Sequence, residues 1–252
     1  MGGESFKRSI ESMTLRGAAA AQAHYDEIAR IGKALGSPVR LRLLDLLRNG
    51  RRSVEDLAAA AGVSVANSSQ HLQQMRVAGL VVGERRGQHV EYRLAADGVS
   101  STFAALRALA EALRPEMERL GRELGLLSAG ERRELLRRIR RGEVTLVDVR
   151  PAREFEASHL PGARSIPLAD LRDRMGELPR DAEVVAYCRG PYCTFARDAV
   201  TLLSAAGYRA RHLDLGVPDL RALGFPVTGA DSSVAGARRS ARRSTRTPRS
   251  LP

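Results

Sequence analysis

The chain has 252 residues, 28% of them charged, a mean hydropathy of -0.26 and a formal net charge of +12 at pH 7. This length favours two domains of ordinary size, and no run of residues approaches the ~18 apolar residues that a membrane helix needs. The N-terminus lacks the apolar segment of a secretory signal, so we expect a cytoplasmic protein that makes no membrane contact.

The first elements predicted along the chain are helices. Residues 1–24 show no clean apolar period and are predicted to form a flexible lead-in. Apolar residues spaced three and four apart then predict two successive helices within residues 25–48. Ser53 and Ser64 are predicted to cap two further helices, the second of which ends at Gly79.

After these helices the apolar period changes to two. The apolar segments 80–82 and 90–94 flank a polar turn at 84–88, which predicts a β-hairpin. Helix, short helix, turn, helix and hairpin in this order predict a mainly α winged helix-turn-helix domain over residues 25–97. Its helix at 65–78 would enter the major groove of double-stranded DNA.

Residues 98–127 are predicted to be a dimerisation helix and linker. Apolar residues within 101–124 form a heptad seam, which Pro115 should kink or divide. The seam either packs on its own domain or pairs two chains. We favour a homodimer, because DNA readers of this shape bind two half-sites.

Strands and helices alternate over residues 128–228. This order predicts an α/β domain with a parallel sheet that helices cover on both faces. The chemistry of such domains lies at the carboxyl ends of the strands, and Cys188 follows the strand predicted at 183–187.

The last segment, residues 229–252, carries six arginines and one aspartate among small polar residues. It has few apolar residues to bury, so it is predicted to be a disordered basic tail. Such a tail either adds sequence-independent attraction to phosphates or is a solvated segment without a specific partner.

The only two cysteines, Cys188 and Cys193, lie where a strand passes through a tight loop into a helix. The helix N-terminus and Arg189 are expected to favour ionisation of Cys188, and successive amides would cradle an anion. Pro191 removes one of those donors. Cys193 either resolves an oxidised or persulfidated Cys188 as a disulfide or faces the core.

Three separated motifs make residues 128–228 resemble the rhodanese domain, a sulfurtransferase fold. They are LVDVRPAREF at 146–155, HLPGA followed by IPL within 159–168, and CRGPYCT at 188–194. The resemblance implies that Cys188 takes a sulfane sulfur from a small donor as a covalent persulfide. It then passes the sulfur to a thiol or cyanide-like acceptor, without a separate cofactor.

The same resemblance implies roles for two further sets of residues. The loop that binds sulfur or an anion would comprise Arg189, Gly190, Tyr192, Cys193 and Thr194. The structural motif of the fold would comprise Asp148, Arg150, His159 and Gly162.

The first half resembles the ArsR-type winged-helix repressors through residues 31–41, QHL at 70–72 and GLV at 79–81. The residues that this resemblance brings to DNA are Ser64, Ser68, Ser69, Gln70 and His71 on the helix and Arg85, Arg86 and Gln88 on the wing. His71 is equally compatible with a packed helix residue.

Many members of that family sense metals through cysteines before the recognition helix or through His and Asp on the last helix. Residues 54–60 contain no Cys and residues 101–124 contain no His, so no metal site is expected.

The tandem arrangement is similar to fusions of an ArsR-type regulator with a rhodanese domain. The first hypothesis is a transcriptional regulator, expected to be a repressor, whose rhodanese domain senses or processes reactive sulfur. The second is a rhodanese-type sulfurtransferase that DNA binding only localises. The third is a thiol-dependent reductase of arsenate or another oxyanion, with Cys193 as the resolving thiol.

Overall fold

The computed structural model describes residues 3–229, with side chains from residue 17 onward. The chain divides after Phe103 into two compact units. Beyond Gly229, the predicted basic tail lies outside the described residues. No helix in the described range combines the length and the apolar character needed to cross a bilayer.

The first unit is helical with a small antiparallel sheet, whose strand order is β1-β3-β2. Its elements are α1 (Gly3–Leu35), α2 (Pro38–Leu47), β1 (Arg52–Ser53), α3 (Val54–Ala61), α4 (Val65–Val77), β2 (Val81–Arg86) and β3 (His89–Leu94). The helix α5 (Asp97–Leu113) begins in this unit and ends in the second. The mainly α winged helix-turn-helix fold expected from the sequence is confirmed.

The N-caps predicted for α3 and α4 are present. Ser53 Oγ accepts a hydrogen bond from the Asp56 amide at 3.1 Å, and Ser64 Oγ accepts one from the Asn67 amide at 3.2 Å. Each bond satisfies one of the amides that a helix leaves unpaired at its start.

Two boundaries in this unit differ from the prediction. The lead-in predicted at 1–24 is helical from Gly3, because its alanine-rich stretch has high helix propensity even without a clean apolar period. The polar turn predicted at 84–88 is shorter, since β2 and β3 stay paired as far as Arg86 and His89.

The second unit has a four-stranded parallel sheet in the order β5-β4-β6-β7. Its helices are α6 (Pro115–Glu123), α7 (Ala129–Arg140), α8 (Ala152–Ala157), α9 (Leu171–Arg174), α10 (Phe195–Ala205) and α11 (Val217–Ala222). Its strands are β4 (Thr145–Asp148), β5 (Arg164–Ser165), β6 (Val184–Tyr187) and β7 (Ala210–Leu213). Pro115 divides the predicted seam helix into α5 and α6, as expected.

The central strand β6 has all of its residues buried, because the sheet is covered on both faces. Val184 and Ala186 pack on the α10 side of the sheet with Cys188. Val185 and Tyr187 pack on the opposite side with residues of α7 and α11. The parallel α/β fold predicted from the order of elements is confirmed, and it brings Cys188 to the carboxyl end of a buried strand.

Candidate functional site

The Cys188 thiol lies directly after β6 and is 1% exposed. Its Sγ is directed at two carbonyl oxygens, that of Cys193 at 3.5 Å and that of Gly190 at 3.9 Å. A carbonyl oxygen accepts hydrogen bonds, so this geometry is that of a protonated thiol donating to the loop.

Cys188 and Cys193 are free thiols that hydrogen-bond to each other. The bond from Cys188 lowers the pKa of Cys193 to about 6, and amide hydrogen bonds from Phe195 and Arg189 act in the same direction against burial. The same bond, burial and repulsion from Cys193 raise the pKa of Cys188 far above its usual range. The pair therefore holds one negative charge, and at rest Cys193 carries it.

The expectation of an ionised Cys188 is wrong for this resting arrangement. The amides of Gly190 and Ala196 do hydrogen-bond to Cys188 and favour its thiolate. They are outweighed because two thiolates in contact would repel each other, so one of the pair keeps its proton.

The Arg189 side chain binds Glu154, although the sequence predicts that it favours ionisation of Cys188. Its Nε and Nη2 donate to the Glu154 carboxylate at 3.0 and 2.6 Å, and its guanidinium lies 5.0 Å from the centre of the Phe195 ring. The positive charge of Arg189 still lowers the pKa of Cys193, as one of the smaller contributions. Glu154 lies within the first rhodanese-like motif, and nothing in the sequence alone gives it this role as the partner of Arg189.

The loop after Cys188 is held by the turn before α11. Gly190 has a φ of 138°, and a Cβ on Gly216 would lie 2.3 Å from the carbonyl oxygen of Arg189, so both positions require glycine. The carboxylate of the 3% exposed Asp219 accepts a hydrogen bond from the Gly216 amide at 3.0 Å. The sequence gives Gly216 and Asp219 no role beside Cys188, because only the fold brings them next to the loop.

The other predicted loop residues lie at its outer side. Tyr192 is 51% exposed, and Thr194 is exposed immediately before α10 without capping that helix through its side chain. Both side chains are therefore accessible to solvent, whereas Cys188 between β6 and the loop is buried.

The structural motif residues flank α8 in the chain, with Asp148 and Arg150 before it and His159 and Gly162 after it. Arg150 is 1% exposed and binds the fully buried Asp148 carboxylate through Nε and Nη2, the latter at 2.6 Å. The His159 ring stacks on Phe155 at 3.8 Å between centroids. Gly162 has a φ of 78°, in the left-handed region that favours glycine.

The residues predicted to face DNA on α4 do not share one surface. Gln70 is exposed and Ser69 partly exposed, whereas Ser68 is fully buried and its Oγ has no hydrogen-bond partner among the described residues. Ser68 therefore does not face DNA, because it lies one turn before the core residue Leu72 and on the same side of α4. Gln73, exposed one turn after Gln70, was missed.

The remaining residues that are predicted to contact DNA also differ in exposure. Ser64 is exposed, with its hydroxyl engaged as the cap of α4, and His71 is half-buried with its Nδ1 enclosed. On the wing, Arg85, Arg86 and Gln88 are all exposed around the hairpin turn.

Comparison with protein families supports both units. The rhodanese-like domain family matches residues 131–222, and a helix-turn-helix domain family matches residues 35–84. The solution structure of the homodimeric winged helix-turn-helix DNA-binding domain of Mb0332 from Mycobacterium bovis is 40% identical. That match covers 36% of this chain and 84% of that one, with a TM-score of 0.35.

Two relatives from Mycobacterium tuberculosis show how much of the chain the similarity covers. The HTH-type transcriptional repressor SmtB is 41% identical over 70 residues, which is 28% of this chain and 52% of SmtB. The HTH-type transcriptional regulator Rv0324 is 43% identical over 206 residues, which is 80% of this chain and 90% of that protein. The chain therefore belongs to the ArsR/SmtB-type helix-turn-helix transcriptional regulators that carry a rhodanese domain.

Proposed function

We propose that this regulator takes up sulfane sulfur as a persulfide on Cys188, and that the loaded rhodanese domain changes the affinity of the winged domain for DNA. The observation that carries the proposal is the buried Cys188 thiol at the carboxyl end of β6, whose Sγ lies 3.5 Å from the carbonyl oxygen of Cys193 across the loop. Sulfane sulfur is attacked by thiolates, and the thiol pair already holds one negative charge near neutral pH.

The uptake step is a sulfur transfer between thiols. Cys188 Sγ attacks the outer sulfur of a small persulfide donor, a new S–S bond forms at Cys188, and the donor leaves as its thiolate. The amides of Gly190 and Ala196, which already point at Cys188, would stabilise the charge of the bound persulfide.

Recognition of double-stranded DNA is assigned to the exposed side of α4 and to the wing. Ser69, Gln70 and Gln73 would read base edges, because amide and hydroxyl side chains match the hydrogen-bonding pattern of the major groove. Arg85, Arg86 and Gln88 would contact phosphates or the minor groove, and Ser64 would lie near phosphate at the N-terminus of α4.

A homodimer is supported by apolar side chains that the single chain leaves exposed. Ile28 on α1 is 55% exposed, and Leu109 and Leu113 on α5 are 54% and 67% exposed. Apolar surface of this kind on helices marks an interaction site, and a second copy of the chain would cover it. Two recognition helices would then reach two half-sites.

A chain of contacts within the second unit runs from the thiol loop to α5. Gly216 packs against the Arg189 carbonyl and donates to Asp219, whose Oδ1 lies 3.4 Å from Arg107 Nη2. Arg107 belongs to α5, which begins at Asp97 among the residues of the first unit. Movement of the loop on sulfur uptake would therefore act on this helix.

The alternative is a sulfurtransferase that DNA binding only localises. The same thiol pair supports it, since a persulfide on Cys188 can pass its outer sulfur to an external thiol or cyanide. The two functions differ in whether the DNA affinity depends on the sulfur.

Gel-shift titrations separate the two functions. Wild type and Cys188→Ser are titrated onto operator DNA, each with and without one equivalent of an organic persulfide. Sensing predicts that only the treated wild type changes in affinity, by about fivefold or more. Four identical curves exclude sensing, and rapid turnover of thiosulfate and cyanide with identical curves establishes the localised enzyme.

A further inference from the structure

We propose that Cys193 is a second catalytic thiol, which accepts the proton of Cys188 during uptake and then displaces the outer sulfur to close a Cys188–Cys193 disulfide. This inference rests on the proposed persulfide at Cys188. It makes the site a switch that converts sulfane sulfur into hydrosulfide and stores the signal as a disulfide.

The loop folds the two thiols onto each other. The Cys193 amide donates to the Gly190 carbonyl at 3.2 Å, which turns the chain back toward Cys188. Cys188 Sγ lies 3.5 Å from the Cys193 carbonyl oxygen and hydrogen-bonds to the Cys193 side chain. Both cysteines are free in this structure, so the pair is available for chemistry.

The protonation states of Cys188 and Cys193 indicate where the proton moves in the first step, the uptake of sulfur. Cys188 donates to carbonyl oxygens and is protonated, whereas Cys193 gains hydrogen bonds from the amides of Phe195 and Arg189 and carries the charge. When Cys188 Sγ attacks a persulfide R–S–SH, its proton moves to Cys193 and the bond between the two donor sulfurs breaks. The electron pair of that bond leaves with the R–S sulfur.

The second step follows once Cys193 has lost its proton to water. The Cys193 thiolate attacks Cys188 Sγ of the persulfide, a bond forms between the two Sγ atoms, and the bond to the outer sulfur breaks. The outer sulfur leaves with the electron pair as hydrosulfide. The two cysteines are oxidised and the sulfane sulfur is reduced, so the donor itself is the oxidant.

The exposure of the two cysteines indicates which sulfur an external thiol attacks when it reduces the disulfide. Cys188 is 1% exposed, whereas Cys193 is partly exposed beside Tyr192, which is 51% exposed. An external thiol therefore reaches the Cys193 sulfur of the disulfide first. Attack there releases Cys188 as the leaving thiol and restores the pair when a second thiol removes the first.

The test treats the full chain with one equivalent of an organic persulfide and measures intact mass under non-reducing conditions together with released hydrosulfide. Wild type is expected to lose two hydrogen atoms and to release one equivalent of hydrosulfide. Cys193→Ser is expected to gain one sulfur atom, to release no hydrosulfide above the Cys188→Ser background, and to take up sulfur about tenfold more slowly at pH 7. Circular dichroism checks the fold of each variant, and Cys193→Ala repeats the test if the serine variant misfolds.

Three outcomes separate this inference from the function on which it rests. Loss of two hydrogen atoms in wild type alone supports the disulfide. A gain of one sulfur atom in both wild type and Cys193→Ser overturns it and leaves the persulfide proposal intact. No change of mass in wild type overturns both.

Discussion

The guanidinium of Arg189 binds the carboxylate of Glu154, through Nε at 3.0 Å and Nη2 at 2.6 Å. The residue after Cys188 is thereby anchored to α8, and its charge is partly neutralised, so it makes only one of the smaller contributions to lowering the pKa of Cys193. Activation of the site falls mainly to the neighbouring thiol and to the loop amides. The difference matters because an arginine beside a cysteine in a sequence is readily interpreted as its activator.

The reactivity of the thiol pair should depend on pH through Cys193. Because the pKa of Cys193 is lowered to about 6, its thiolate fraction and hence its alkylation rate should rise with pH and reach half of their maximum near pH 6. Cys188→Ala removes the hydrogen bond that lowers this pKa most, so the midpoint should move up by about one unit or more. Timed alkylation with peptide mapping checks both values; a midpoint near 9 in wild type would refute the shared charge.

The buried ion pair of Asp148 and Arg150 should dominate the stability of the second unit. Asp148→Asn leaves Arg150, which is 1% exposed, without its counter-charge. Since an unpaired buried charge is costly, we expect the free energy of unfolding to fall by about 3 to 5 kcal/mol in urea titrations. Glu134→Gln, which breaks the exposed pair with Arg137, is the matched control and should leave the midpoint nearly unchanged.

The contact between Arg107 and Asp219 should carry the sulfur signal. Arg107→Gln removes the ion pair at 3.4 Å without touching the thiol loop. We expect sulfur uptake, measured by mass, to continue while the accompanying change in DNA affinity falls to about twofold or less. Arg114→Gln alters an exposed arginine just after α5 and should keep the full response. A full response in both variants would show that α5 is not the route.

The exposed apolar side chains of α1 and α5 should hold the dimer. Leu113→Glu places a charge where a second chain would bury an apolar side chain, so dimerisation should weaken by about tenfold or more. Leu223→Glu introduces the same charge at a 49% exposed leucine that follows α11 and belongs to neither helix, and it should leave the association unchanged. Sedimentation velocity over a range of concentrations measures both variants. Equal dimer fractions for the two would place the interface elsewhere.

The two sides of α4 should respond differently to substitution. Gln70→Ala should reduce the preference for operator over random DNA by about 1 to 3 kcal/mol, because an exposed amide that reads a base is lost. Ser68→Ala should leave DNA affinity unchanged and stability unchanged or slightly higher, since the hydroxyl that it removes is buried without a partner among the described residues. A loss of affinity in Ser68→Ala would mean that α4 presents the Ser68 side to DNA, contrary to its burial in this structure.

Local patterns in the sequence were sufficient to predict most elements of both folds. The signals are local, because each depends only on residues close by in the sequence. They include the capping serines, the proline that divides the seam helix and the buried strand before Cys188. The burial of Ser68 could also have been predicted, because its spacing to Leu72 and Met75 puts all three residues on one side of α4.

The contacts that define the candidate site could not be predicted from the sequence, for a physical reason. Glu154, Gly216 and Asp219 meet the Cys188 loop only because a parallel sheet brings the ends of distant strands to one edge. The division of charge between Cys188 and Cys193 depends on which carbonyls and amides face each sulfur. The sequence shows which residue types are present, but it does not show which backbone groups point at each sulfur.

The most direct test of the central claim measures sulfur and DNA binding on the same sample. Wild-type protein is loaded with graded amounts of an organic persulfide, the reacted fraction of Cys188 is read from intact mass, and operator affinity is read from fluorescence anisotropy. If sulfur on Cys188 controls DNA binding, affinity changes in proportion to the reacted fraction and returns when a reducing thiol resets the site. Full reaction at Cys188 with unchanged operator affinity would contradict this claim.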